Sequence, residues 1–183
     1  MIVVEGPDGS GKTTLVKKIA GTLDLPVARR VVTKQATAMT DLQTWVDDNL
    51  NAGLKATVYD RHRLISEPIY GPVLRRSPAP GFDDWRWLMY RQQKFRNLRP
   101  LVIFCLPPLN TVRECVQEDD DNKVVWDHID TIYWLYHNAI TLWDDALVFD
   151  WTMTTSSLSV HAIERATEIW LAKKSLRAPS SPG

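Results

Sequence analysis

The 183-residue sequence predicts an α/β fold, a parallel sheet with helices on both faces, on three observations. A short apolar run at 1–4 passes through a glycine-rich loop into a segment of helical periodicity. The run at 101–106, Leu-Val-Ile-Phe-Cys-Leu, is the strongest buried-strand signal in the chain and ends on Pro107 and Pro108. Strand-like and helix-period segments then alternate from end to end, which requires right-handed crossovers between parallel strands.

Taken in order, Met1-Ile2-Val3-Val4 reads as the first strand, and Glu5-Gly6-Pro7-Asp8-Gly9-Ser10-Gly11-Lys12-Thr13-Thr14 follows it. The loop fits G-x-x-x-x-G-K-[ST] at Gly6, Gly11, Lys12 and Thr13. Its glycines let backbone N–H groups turn toward an anion, while a helix beginning near Gly11, with Leu15, Ile19 and Leu23 at helical spacing, aims its positive end at the same charge. This is a phosphate-binding P-loop. ATP is the expected cofactor, with Gly6, Asp8, Gly9, Ser10, Gly11, Lys12, Thr13 and Thr14 around its phosphates. Lys12 would reach the β- and γ-phosphates and Thr13 would hold Mg²⁺.

Asp24 and Pro26 stop that helix, and 27–33 carries the β-branched residues of a second strand, interrupted by Arg29 and Arg30 as an edge strand would be. Leu42, Trp45, Val46 and Leu50 predict a helix over 40–50, closed by Gly53. The third strand, 55–60, ends on Asp60, at the strand end where open α/β sheets bind ligands. Asp60 there can bind a metal's water shell or take a proton from an acceptor hydroxyl, and Arg61 can grip a phosphate. Glu67 and Tyr70 either line an acceptor pocket or lie on an ordinary helix surface.

After a break at 77–81, the segment 82–98 reads as a helix with Trp85, Leu88 and Phe95 on one face. Arg75, Arg76, Arg86, Arg91, Lys94, Arg96 and Arg99 make this region basic, but at about 100° per residue its cations form no stripe. The buried strand at 101–106 comes next, then a helix over 110–117 capped by Asn110, an acidic exposed turn at 118–122, and a helix over 124–143. Val125, Ile129, Ile132, Tyr136 and Trp143 give that helix one apolar side. A last strand at 146–151 precedes a helix at 158–174. One domain over 1–175 accounts for the chain, with a tail at 176–183 expected to be disordered.

Hydrophobic residues make up 44% and charged residues 24%, as in globular proteins, and no apolar run approaches a membrane span. With no leader-like segment before the first strand, the cytosol is the expected compartment and no membrane partner is expected. Lys and Arg match Asp and Glu at 22 each, which leaves no overall field to draw in a polyanion. Cys105 and Cys115 lack metal spacing, His62, His128, His137 and His161 make no zinc signature, and the eight tryptophans read first as core or pocket-wall side chains.

The P-loop, the strand end Asp60-Arg61-His62 and Leu106-Pro107-Pro108 together make the chain resemble the thymidylate kinase family over nearly its whole length. The resemblance implies a P-loop NTPase three-layer α/β/α fold with a five-stranded parallel sheet flanked by helices. It also implies phosphoryl transfer from Mg-ATP to a deoxynucleoside monophosphate, with no covalent intermediate. On that footing Asp8 approaches the acceptor sugar's 3′-hydroxyl, Asp60 acts near the metal and the acceptor, and Arg61 binds the acceptor phosphate. The run 60–72 looks like a variant common among phage-encoded kinase-like proteins, for which the compartment would be the host cytosol.

One departure stands out. The family brings arginines to the transferred phosphoryl from the P-loop or a mobile lid, whereas here the loop holds Pro7 and the lid region is acidic, with Arg113 and Lys123 its nearest cations. Phosphoryl transfer needs that positive charge, so Arg91 and Arg75 or Arg76 are the candidates. Three readings follow. The first is a kinase acting on a pyrimidine deoxynucleoside monophosphate such as dTMP; the second, a kinase acting on the hydroxyl of 5-hydroxymethyluracil in phage DNA; the third, a non-catalytic nucleotide-binding protein. Nucleotides are the expected partners, with modified DNA under the second reading and a homodimer as the protein assembly to consider.

Overall fold

The computed structural model describes residues 1–28, 39–52, 56–74, 85–117, 123–143, 146–153, 163–165 and 167–172. Its strands are β1 (Ile2–Glu5), β2 (Val58–Asp60), β3 (Leu101–Cys105) and β4 (Leu147–Phe149). Its helices are α1 (Lys12–Leu23), α2 (Met39–Ala52), α3 (Arg63–Leu74), α4 (Trp85–Asn97), α5 (Leu109–Gln117), α6 (Lys123–Trp126) and α7 (Ile129–Ala139), with a 3₁₀ turn at Ile140–Leu142. Residues 163–165 and 167–172 are also helical.

Every strand pairing is parallel, in the order β2-β1-β3-β4. The sheet is therefore four-stranded among the described residues, against the five expected. Val27 makes a single parallel bridge to Val58 at the outer edge of β2, and 29–33 of the second expected strand lie outside the described residues. From β1 the chain steps to β2 on one side and returns to β3 on the other, so the strand order switches direction at β1. Ligands of open α/β sheets bind outside the strand ends at such a switch.

The period of two within each strand divides the core into two layers. Val3, Tyr59, Val102 and Phe104 pack among residues of α2, α3, α4 and α7, while Ile2, Val4, Val58, Leu101, Ile103 and Phe149 face α1, Ile163 and Trp170. The result is the α/β/α sandwich that the alternation of elements predicts. No helix among the described residues is long and apolar enough to cross a membrane.

Two elements depart from their expected form, and a third, α3, carries prolines in its interior. The single helix expected over 124–143 is divided into α6, a turn at Asp127–His128, α7 and the 3₁₀ turn. In α4, Phe95 is fully buried but Trp85 is 61% exposed, so they do not share a buried face. α3 runs through Pro68 and Pro72. Proline has no N–H for the carbonyl four residues earlier; at Leu64 that carbonyl instead accepts from the Gln92 side chain of α4, at 3.0 Å. The acidic turn 118–122, the break at 77–81 and the tail 176–183 lie outside the described residues.

Candidate functional site

The loop after β1 is built for close approach. Gly6 (φ 144°) and Gly11 (φ 84°) sit where an L-residue is strained, and neither has room for a side chain. A Cβ on Gly6 would collide with the Cys105 carbonyl, and one on Gly11 would lie 2.9 Å from the Trp151 indole. α1 starts at Lys12, immediately after the loop, so its first N–H groups face the loop's hollow. Lys12 is only 6% exposed; its ammonium donates to the Pro7 carbonyl and to Ser10 Oγ at 3.5 Å. Burial, reinforced by Arg61, pushes Lys12 down to about 7.

The register Val4↔Asp60 brings the end of β2 alongside this loop. Thr13 Oγ1 donates to Asp60 Oδ2 at 2.8 Å, and Asp60 Oδ1 is buried with no hydrogen-bond partner. An orphaned carboxylate oxygen beside a threonine hydroxyl suits a divalent cation completed by phosphate oxygens and water, so Thr13 and Asp60 fit Mg²⁺. No cluster of three or more His, Cys, Asp or Glu is placed to hold a metal among the described residues.

Arg61 continues from Asp60 with φ 68°, its N–H donating to the Val4 carbonyl at 3.0 Å. This turns the guanidinium back over the P-loop. Nη2 donates to Asp8 Oδ1 at 2.6 Å, to Tyr70 OH at 2.7 Å and to the Gly6 carbonyl at 3.4 Å, and the cation lies 4.6 Å from the Tyr70 ring centroid. The Tyr70 hydroxyl accepts from the Asp8 N–H at 3.1 Å and donates to Asp8 Oδ2 at 3.0 Å. Burial would raise Asp8, but the charges of Arg61 and Lys12 outweigh it and hold the carboxyl below its ordinary value. Asp8, Arg61 and Tyr70 thus form one knot across the mouth of the loop. Glu67 is buried one helical turn before Tyr70, with Arg63 at 3.4 Å from its Oε2.

Arg91 goes elsewhere. Its guanidinium forms a two-pronged pair with Asp47 of α2, at 2.9 Å for each prong, and lies over Trp87 and Tyr90. None of these partners is on the P-loop. Arg75 and Arg76 lie outside the described residues. Arg113 pairs with Asp130, and Lys123 approaches Asp127 at 3.9 Å on the surface.

Four residues that sequence reasoning gave no role in the site complete it. Glu5, fully buried, accepts from the His62 N–H at 2.6 Å and from Tyr136 OH at 3.0 Å. His62 stacks on Phe95 at 4.2 Å between ring centroids; burial, with Arg63 adding to it, pushes its imidazole down to about 3, so it stays neutral. Trp151 donates its indole N–H to the Ser10 carbonyl at 3.0 Å. It also walls a cavity of about 450 Å³ beside the loop, with Gly11, Thr14, Leu15, Lys18 and Phe149. Only Glu5 carried a usable signal, a carboxylate at the end of an otherwise apolar strand and next to the loop.

No family model matches the chain. No curated protein matches it by sequence. Solved structures do match. The YorR protein of Bacillus subtilis, in complex with phosphorylated GDP, superposes with a TM-score of 0.73 at 18% identity, covering 92% of this chain and 96% of that one. Deoxyadenosine kinase from M. mycoides with bound dCTP gives a TM-score of 0.61 at 15% identity, covering 92% and 100%. The same kinase with the products dCMP and dCDP gives 0.60 at 15%, covering 92% and 98%. At these identities the likeness establishes the fold, a P-loop α/β/α sandwich.

Proposed function

We propose that the chain is an ATP-dependent kinase that transfers the γ-phosphoryl group of Mg-ATP to a pyrimidine deoxynucleoside monophosphate of the dTMP type. One observation carries this reading: the acid and the arginine ending β2 converge on the P-loop, Asp60 at Thr13 and Arg61 at Asp8. A P-loop alone binds a triphosphate; a carboxylate and a guanidinium facing it from the next strand supply an acceptor side. Lys12 then neutralises charge on the β- and γ-phosphates. Arg61 exchanges Asp8 for the acceptor phosphate, Asp8 and Tyr70 meet the sugar, and Glu67 lies behind them. Mg²⁺ at Thr13 and Asp60 would supply electrostatic stabilisation of the phosphates. The similar structures hold nucleotides in the same fold, namely phosphorylated GDP in the YorR protein and dCMP, dCDP and dCTP in the deoxyadenosine kinase, which supports nucleotides as partners.

The hydroxyl of 5-hydroxymethyluracil in DNA is the second reading, favoured by the buried Asp60 Oδ1, which has no hydrogen-bond partner and could accept from an acceptor hydroxyl. The discriminating experiment offers ATP labelled in its γ-phosphate to deoxynucleoside monophosphates, to deoxynucleosides and to an oligonucleotide containing 5-hydroxymethyluracil. Label appearing in a deoxynucleoside diphosphate supports the first reading. Label in a monophosphate or in the modified oligonucleotide moves the acceptor to a hydroxyl, and ATP binding without transfer to any acceptor would leave a non-catalytic nucleotide-binding protein.

Two expected results belong to the donor side. Lys12 sits near 7 in the free protein because burial disfavours its charge; phosphates beside it restore that charge. ATP binding at pH 8 is therefore expected to take up a proton, and affinity to fall as pH rises above 7. Calorimetry in two buffers of different ionisation enthalpy checks this; equal heats in both would contradict it. The cavity beside Trp151 is placed to take the donor base, so Trp151→Ala should weaken ATP binding ~10-fold, the size of one lost base–aromatic contact. Fluorescent-nucleotide titration measures it, and an unchanged Kd would remove Trp151 from the donor site.

A further inference from the structure

We infer that Glu5 is a positioning residue that holds the Asp60–Arg61–His62 turn in the shape that aims Arg61 across the P-loop, and that Tyr136 ties this clamp to α7. The inference rests on the kinase reading for its catalytic consequence, but its structural part does not. A non-glycine residue at φ 68° keeps that backbone only where its surroundings hold it. Two hydrogen bonds do so here, one on each side of the strained residue's side chain: the Arg61 N–H to the Val4 carbonyl, and the His62 N–H to Glu5 Oε1 at 2.6 Å. The first is ordinary sheet-edge pairing. The second depends on a single side chain.

Glu5 leaves β1 one residue before Gly6, so it is anchored at the base of the P-loop and reaches sideways to the end of β2. Its other oxygen, Oε2, accepts from Tyr136 OH at 3.0 Å, and both residues are fully buried. Tyr136 in turn packs edge-on against Tyr70 at 6.0 Å and Phe104 at 6.4 Å, and Tyr70 is the hydroxyl that shares Arg61 with Asp8. A closed path thus runs from Glu5 to Tyr136, Tyr70, Arg61 and back through His62 to Glu5. Arg61 is held from its backbone by Glu5 and from its side chain by Tyr70. Burial, only partly offset by the His62 N–H and Arg61, pushes the Glu5 carboxyl up to about 7, a setting tolerated where its two hydrogen bonds are used.

The amide of Glu5→Gln keeps a carbonyl oxygen for the His62 N–H and can donate to the Tyr136 hydroxyl oxygen. Glu5→Leu has similar size but leaves the N–H buried without an acceptor. Glu5→Leu is expected to lower kcat ~100-fold, the effect of a displacement of about 1 Å at a reacting group, with donor Kd within about threefold of wild type. Glu5→Gln should restore kcat to within about threefold, and Tyr136→Phe, which loses one hydrogen bond and no volume, should lower kcat ~10-fold with donor Kd unchanged. A folded Glu5→Leu with wild-type kcat, or one in which Kd and kcat worsen together, would overturn the proposal.

A second readout does not need turnover. The Arg61 guanidinium N–H signals in NMR should be protected from exchange in the wild type and in Glu5→Gln, and lost in Tyr136→Phe or Glu5→Leu. If the wild type phosphorylates no acceptor, the kinase reading fails while this measurement still decides the clamp: protection insensitive to Glu5 and Tyr136 rejects it.

Discussion

Replacing Lys12 with alanine is expected to lower kcat/KM for phosphoryl transfer by ~10²–10³-fold, the loss that follows removal of one preorganised charge from a transition state. The folded protein should be no less stable for it. Lys12 is 6% exposed, and burial with the neighbouring Arg61 holds it near 7, so the free protein keeps this group at a cost that nucleotide binding offsets. The sign with pH follows. A lysine whose folded value is lowered contributes least stability where it must be charged, so the wild type should gain stability as pH rises from about 7 toward 10.5. Lys12→Ala should lose that limb and melt at the same temperature or higher near pH 7. Melting curves across this range, paired with the transfer assay, measure both; a variant that is destabilised yet active would contradict the assignment.

Arg61→Ala should act on stability in the opposite direction. Arg61 is the counter-charge of Asp8, a donor to Tyr70 and the Gly6 carbonyl, and a cation over the Tyr70 ring. Removing it leaves the Asp8 carboxylate beside a buried tyrosine, with Lys12 the remaining cation that acts on it among the described residues. Breaking a largely buried pair from one side costs about 3 kcal/mol, and loss of the guanidinium that positions the acceptor phosphate should cost ~10²-fold in rate. Lysine should rescue neither fully, because a compact ammonium lacks the planar guanidinium that lies over the Tyr70 ring and grips a phosphate with two parallel N–H groups. Urea unfolding and the transfer assay read these effects. Full stability in Arg61→Ala would show that the knot across the loop does not hold the fold.

The contrast between these two variants also separates what the amino-acid sequence makes legible from what only the folded chain brings together. Gly6, Gly11, Lys12 and Thr13 are adjacent in sequence and their chemistry is local, so the loop is legible from spacing alone. Asp60 and Arg61 are legible because a strand end is a defined place in a parallel sheet, although their meeting with Thr13 and Asp8 depends on the β1–β2 register. The need for positive charge points Arg91 toward the loop, yet its direction is set by Asp47, a partner 44 residues away. Trp151, 141 residues from Ser10, and Tyr136, 131 from Glu5, act through contacts that no local pattern carries. The layered sheet is visible for the same reason as the loop: the alternation of strand and helix periods is local. The division of the 124–143 segment is not, since its apolar positions keep helical spacing across the turn at Asp127 and His128.

The central claim is that donor and acceptor share one site, formed where Asp60 and Arg61 meet the P-loop. Its most direct measurement is the affinity of a bisubstrate analogue, adenosine joined through a phosphate chain to the acceptor that the transfer assay selects. If the site is shared, the analogue should bind at least ~10²-fold more tightly than ATP, and Arg61→Ala should abolish that gain while sparing most of the affinity for ATP. An analogue that binds no better than ATP, or whose advantage survives Arg61→Ala, would contradict the account.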